Sequence, residues 1–190
     1  RAIMVFPWAT SLIIQAGVWK FIIDKDYGAL NTLLMKIGLI SSPVNWTPTP
    51  GAYFAWEIFV GIFVTVPFVT FCVLSGLQSI DNSYYEAATV DGANYRKKLF
   101  KITLPLVKSS LTVSTVLNII YVFNSFPIIW TITKGDPASR TDTLVTYLYK
   151  LAFYKGKSGE AAAVSVIGFL ILCICASVYM VLSLRKEDED

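Results

Sequence analysis

Four apolar stretches, at about residues 3–23, 52–77, 106–132 and 161–184, constrain this chain more than any other feature. Each is long enough as a helix to cross a hydrocarbon core of about 30 Å. Backbone N–H and C=O groups find no water in lipid, so a spanning segment must satisfy them internally as a helix or within a closed barrel. The alternation of a barrel strand occurs nowhere in the sequence. The expected fold is therefore all-α, a polytopic membrane helical bundle. Composition agrees, with 55% hydrophobic and only 15% charged residues and a mean hydropathy of +0.59.

The same residues exclude several kinds of chemistry. The chain has no histidine. Glu57 is the only carboxylate within a span, and no nucleophile has a base beside it, so neither catalytic nor metal residues are expected. Gly156-Lys157-Ser158 resembles the end of a phosphate-binding loop, but Leu151 stands where its first glycine is required and no strand precedes it. No cofactor is expected in this chain. Cys72, Cys173 and Cys175 all fall in spans, where they read as small apolar packing residues. A net charge of +3, carried mostly by residues flanking the spans, does not point to nucleic acid. With the loop Gln78 to Lys108 on one side, the 16 Lys and Arg divide equally, so the positive-inside rule leaves orientation open. The chain starts at Arg1 with no initiator methionine, and we expect its first apolar segment to continue from a preceding part.

The segments opposite that loop carry turn chemistry. Ser41-Ser42-Pro43 and Thr47-Pro48-Thr49-Pro50-Gly51 break any helix before the second stretch, as Lys134-Gly135-Asp136-Pro137 does after the third. Asn45-Trp46-Thr47 fits a glycosylation sequon, a short and weak pattern. Leu144, Leu148, Leu151 and Ala152 recur at helical spacing among tyrosines, which suits either a helix lying at the membrane interface or a docking surface. The tail Glu187 to Asp190 is expected to be disordered.

The polar loop 78–105 can be built residue by residue. Ser83 and Glu86 have the spacing of a capping box, predicting a short helix from Tyr84. Gly92 would end it, because glycine accepts the left-handed conformation of a helix C-cap. Asn94 would cap a second helix, expected to stop or kink at Pro105. Ala87, Ala88 and Ala93 leave little bulk around the bend, so a partner's backbone could approach closely. Glu86 reads equally as a cap and as a partner contact. In the third stretch Ser114, Asn118, Tyr121 and Ser125 align along one helical face, where polar groups are expensive. Such a stripe either lines a solute path or serves as interhelical hydrogen-bond glue. Pro7, Pro67 and Pro127 read as packing kinks rather than hinges.

Glu86-Ala87-Ala88-x-x-Asp91-Gly92-Ala93, followed eleven residues later by Leu104-Pro105, resembles the EAA loop of ABC-importer permeases. The resemblance covers almost the whole chain. Tyr27-Gly28-Ala29-Leu30-Asn31, Gly76-Leu77-Gln78-Ser79-Ile80, Phe123-Asn124-Ser125-Phe126 and Thr143-Leu144-Val145-Thr146-Tyr147 make it similar to the maltose- and glycerol-3-phosphate-type sugar permeases. It departs from that pattern at Leu99, usually aromatic, and at Ser109, usually proline. The resemblance implies a binding-protein-dependent importer subunit, four spans present of six, in a bacterial or archaeal cell membrane. It implies that Glu86, Ala87, Ala88, Asp91, Gly92 and Ala93 form a cytoplasmic coupling loop docked on separate ABC ATPase subunits that use the ATP. It further implies a second permease subunit, an extracytoplasmic solute-binding protein and a sugar substrate. Similar permeases place sugar contacts on the third stretch and on the one before the loop, which adds Thr65 and Phe68 to Asn118, Tyr121 and Ser125. The alternative is an ATP-independent secondary transporter or channel subunit.

Overall fold

The computed structural model of the chain describes residues 9–185, with side chains from 9 to 183. Pro7, the start of the first apolar stretch and the acidic tail lie outside these residues. Every described segment of regular structure is helical. Among the described residues, three helices are long and apolar enough to cross a membrane, namely Pro50–Gln78, Tyr95–Phe123 and Ser158–Ser183.

The helix α1 (Leu12–Ile22) is 11 residues long, about 17 Å at the α-helical rise. One face, Leu12, Ala16 and Trp19, packs on Val60, Val64, Ile128 and Ile132 to form the core. These side chains recur at i, i+4 or i+7 on each helix, the spacing that lines up one face. Trp19 meets Phe59 and Phe63 edge-on, with ring centroids 5.0 and 5.2 Å apart, the geometry that places positive ring edges on negative faces. The other face, including Ile13, Ile14, Val18 and Phe21, is exposed, as suits a helix with lipid or another subunit beside it.

The connection after α1 is held by one side chain. Asn31, on α2 (Ala29–Lys36), is 1% exposed. Its amide nitrogen donates to the carbonyls of Lys25 and Val44, both at 2.9 Å. Its Oδ1 accepts from the Val44 N–H at 3.2 Å and from Trp46 Nε1 at 3.0 Å. A buried amide thus meets its full set of partners while pinning the segment from Lys25 to Trp46.

Helix α3 (Pro50–Gln78) starts as its local sequence dictates. Thr49 accepts from the Ala52 N–H at 3.3 Å, and Pro50 occupies the first turn, where its missing N–H costs nothing. The hairpin follows as α4 (Asn82–Val90) and α5 (Tyr95–Lys98). The latter continues through a π-helical turn at Leu99–Thr103 into α6 (Leu104–Phe123). The helix therefore does not stop at Pro105, one of the two outcomes expected there, and widens into the π-helical turn just before it. Pro105 has no N–H to give the Lys101 carbonyl, and in the wider turn the Leu104 N–H bonds to Leu99 O, five residues back. Helices α3 and α6 approach closely near the hairpin, where a Cβ on Gly76 would lie 2.5 Å from Ser110 Oγ.

The third apolar stretch also differs from its expected range. Instead of running from Leu106 to Ile132, helix α6 ends at Phe123, and a separate α7 (Phe126–Ile132) follows. Pro127 has no N–H to give the Phe123 carbonyl four residues back, as one continuous helix would require, and it is tolerated instead in the first turn of α7. Asn124 meanwhile turns its amide back onto Ile120 O at 3.1 Å. Helix α8 (Leu144–Tyr149) opens with a Thr143/Thr146 capping box and runs on through a second π-helical turn at Lys150–Tyr154. Phe126, Trp130, Tyr149, Phe153 and Tyr154 form an aromatic cluster between α7 and this segment. The last helix, α9 (Ser158–Arg185), packs on α6 and α8, with Gly168 facing Leu144 and Phe123. Most of its other apolar side chains are exposed.

Replacing Asn31 with alanine should orphan the groups it binds and cost about 1–3 kcal/mol. The expected readout is a lower thermal midpoint for the detergent-solubilised full-length chain. An unchanged midpoint would show that the loop is held by something else.

Candidate functional site: a polar hairpin and an interhelical cavity

The hairpin is built from local capping chemistry. Asp81, rather than Ser83, is the N-cap of α4, accepting from the Ser83 N–H at 2.8 Å. The helix thus starts at Asn82, and the predicted Ser83/Glu86 capping box does not form. A carboxylate at the N-cap has both a good acceptor and charge complementarity with the helix dipole. The Ser83 N–H holds the Asp81 carboxyl below the usual carboxylate range. The cap is therefore intact above the ordinary carboxylate range and is lost only as pH falls through that lowered value. With no capping duty, Glu86 is exposed, beside exposed Ala87 and half-buried Ala88.

Gly92 ends α4 as its chemistry requires. Its φ is +71°. Its N–H bonds to Thr89 O at 3.0 Å, and the Ala93 N–H bonds to Ala88 O at 2.8 Å, the paired bonds of a Schellman motif. Asn94 then caps α5 by accepting from the Lys97 N–H at 2.9 Å. Two ties fix the hairpin to the base of the α6 span. Tyr85 OH meets Thr103 Oγ1 at 2.9 Å, and Lys98 Nζ donates to Thr89 Oγ1 at 2.7 Å. Tyr84, Val90 and Tyr95 are exposed on this compact element, Val90 to 88%. The six predicted residues Glu86, Ala87, Ala88, Asp91, Gly92 and Ala93 all fall on or beside the bend.

The second feature is a cavity of about 560 Å³ between α3 and α6, lined by Thr65, Phe68, Leu117, Asn118, Tyr121 and Asn124, among others. Four of the five predicted path residues, Thr65, Phe68, Asn118 and Tyr121, converge there. Ser125, the fifth, lines an adjoining cavity of about 250 Å³ that shares Thr65 and Tyr121 with the first. Ser114, the remaining member of the stripe, is 1% exposed and bonds back to Leu111 O, so it belongs to helix packing.

Asn118 donates to Ser114 O at 2.8 Å, and among the described residues its Oδ1 has no hydrogen-bond donor. The Thr65 hydroxyl bonds to Gly61 O at 3.1 Å and Ile62 O at 3.0 Å, leaving its lone pairs toward incoming donors. A mostly apolar wall with a few placed amides and hydroxyls is the usual make-up of a small-molecule site of this size. Sequence reasoning named two further polar residues without placing them on the path. Asn124 lines the main cavity, and Glu57, 4% exposed, lines the adjoining one. The Phe123-Asn124-Ser125-Phe126 resemblance marked the first, and the isolation of Glu57 within a span marked the second.

Apolar spanning helices and a capped polar hairpin between two of them define a multi-pass membrane protein. The architecture matches a bacterial alginate ABC transporter, solved with an alginate pentasaccharide-bound periplasmic protein, at a TM-score of 0.84 and 23% identity over 98% of this chain and 65% of that one. The chain belongs to the family of binding-protein-dependent transport system inner membrane components, which it matches over residues 1–186. It is 47% identical over 187 residues to the "Probable ABC transporter permease protein" of Brucella suis biovar 1 (strain 1330). It is 35% identical over 188 residues to the trehalose/maltose transport system permease protein of Thermococcus litoralis. Those alignments cover 98% and 99% of this chain, and the chain spans 65% and 63% of the length of these two relatives.

Gly92→Val should open the hairpin, because a β-branched residue in the left-handed region is disfavoured by about 1–2 kcal/mol. Amide exchange over residues 82–98 of the full-length protein should accelerate, and Gly92→Asn, which tolerates that region better, should have the smaller effect. Equal protection in the valine variant would show that the bend does not depend on Gly92.

Proposed function

We propose that this chain forms the translocation path for a sugar or sugar-like solute as one permease subunit of an ABC importer in a prokaryotic cell membrane. The observation that carries the reading is the convergence of Thr65, Phe68, Asn118 and Tyr121 on one cavity between the two helices whose ends the hairpin joins. Amide and hydroxyl groups suit sugar hydroxyls, while Phe68 and the Tyr121 ring offer cover for a sugar ring. The trehalose/maltose relative supports this solute class.

The hairpin is the coupling element in this reading. Its exposed α4, with Glu86, Ala87 and Ala88 on the helix and Asp91, Gly92 and Ala93 at the turn, would seat in a groove of a separate ATPase. That partner, and not this chain, would bind and hydrolyse ATP. ATP binding favours one of two states of the pathway only as far as the partner grips the hairpin better in that state. The Tyr85–Thr103 tie and the helix continuous from Tyr95 to Phe123 would carry that bias toward Asn118 and Tyr121. A second permease subunit would complete the membrane pathway, and a solute-binding protein would deliver the sugar from outside. The exposed apolar faces of α1 and α9 suit the second subunit and lipid.

Asn118→Leu and Tyr121→Ala should each reduce uptake by the assembled importer roughly tenfold, the effect of losing about 1.4 kcal/mol of interaction. Copurification with the ATPase should be unchanged, because neither residue lies on the hairpin. Uptake of the native solute at the parent rate in both variants would defeat this path and leave the residues as packing contacts.

A further inference from the structure

Three cavities follow one another along α3. The main one and its neighbour share Thr65 and Tyr121. A third, about 410 Å³, lies at the end away from the hairpin, lined by Lys20, Asp24, Asn45, Tyr53, Thr133 and Asp136, among others. Along α3, Tyr53, Glu57, Thr65 and Phe68 mark the order from this outer vestibule to the main cavity. Glu57 lines the middle cavity and Thr133 lines the vestibule. These two residues are joined by a 2.6 Å hydrogen bond from Thr133 Oγ1 to Glu57 Oε1.

That bond belongs to a buried chain. Thr133 Oγ1 lies 2.9 Å from Thr141 Oγ1 and accepts the Gly135 N–H at 3.0 Å. With the Thr133 hydrogen on Glu57, the fully buried Thr141 hydroxyl is the donor to Thr133, and it shares that one hydrogen with Asp136 O at 3.0 Å. The loop is also tied to the segment after α8 by the Asp142–Lys150 pair at 3.0 Å. Glu57 Oε2 has no hydrogen-bond partner and is buried, so the carboxylate is held on one oxygen only. A group buried with an unmet valence is costly, and its remaining bond is the feature that fixes its position.

We propose that the Glu57–Thr133 pair closes the outer end of the solute path at the start of the loop 133–142, so that breaking it, with the Asp142–Lys150 pair still holding the far end of the loop, opens the vestibule toward the inner cavities. The inference rests on the reading of those cavities as a path. Glu57 acts here as a positioning residue, holding Thr133 and through it the loop 133–142. When the start of the loop moves away, the same carboxylate is left facing the passing solute, where it can accept sugar hydroxyls and repel anionic solutes.

The test is water access in the assembled full-length complex without nucleotide. In a chain with Cys72, Cys173 and Cys175 replaced by alanine, Ser125→Cys places a thiol in the middle cavity. A membrane-impermeant maleimide added from outside should label it slowly. Adding Thr133→Val, which keeps the shape and removes the hydroxyl, should accelerate labelling roughly tenfold, while Thr133→Ser should keep the slow rate. Thr141→Val interrupts the same chain from its other end and carries the test if the first variant does not assemble. Rapid labelling in the parent, or an unchanged rate in an assembled valine variant, would overturn this closure. Labelling does not depend on the solute's identity. Normal transport by Asn118→Leu and Tyr121→Ala would therefore remove the sugar-path reading and leave the labelling result to stand or fall separately.

Discussion

Within hydrocarbon a polar group without a partner costs several kcal/mol, and that penalty organises the structure. The backbone meets it by staying helical through α3, α6 and α9. Side chains meet it in two ways. Thr65, Thr70, Thr112, Ser114, Thr115 and Ser165 bond back to carbonyls of their own helices. Asn118 does so with one amide hydrogen and keeps its oxygen for the cavity. Only where the polar atoms face empty volume does a solute gain something to bind. The same rule thus separates Ser114, a packing residue, from Asn118, one turn further on.

The hairpin obeys the opposite constraint. It has no buried core of its own, and no residue of α4 or α5 is buried. Its shape rests on caps at Asp81 and Asn94, the left-handed Gly92 and the ties from Tyr85 and Lys98. An element held this way is compact without being covered, which leaves its outer face open to a partner. Its connection to the cavity is direct, since α5, the π-helical turn and α6 form one continuous rod from Tyr95 to Phe123.

Features set by neighbouring residues were legible in the sequence. Gly92 and Asn94 act where their chemistry placed them, and the four-residue convergence on the cavity followed from helical spacing together with a family resemblance. Competing local signals were harder to rank. Asp81 takes the cap that Ser83 also suits, and the π-helical turn absorbs a proline that alone predicts a break. The ending of α6 at Phe123 turns on the pairing of Asn124 with Pro127, inside a run whose apolarity alone reads as continuous. Contacts distant in sequence left no trace to read. Glu57 meets Thr133 across 76 positions, and Asn31 gathers Lys25, Val44 and Trp46 only once the loop has folded.

The central claim is that this chain supplies a path and a grip, and that the driving force comes from elsewhere. Reconstituting the full-length permease in liposomes, alone and with the proposed ATPase, second permease subunit and binding protein, and following uptake of radiolabelled maltose and trehalose together with the native solute once known, tests it most directly. The account predicts ATP-dependent accumulation only with the complete set. Accumulation by the lone chain under an imposed proton or sodium gradient, without ATP, would contradict it.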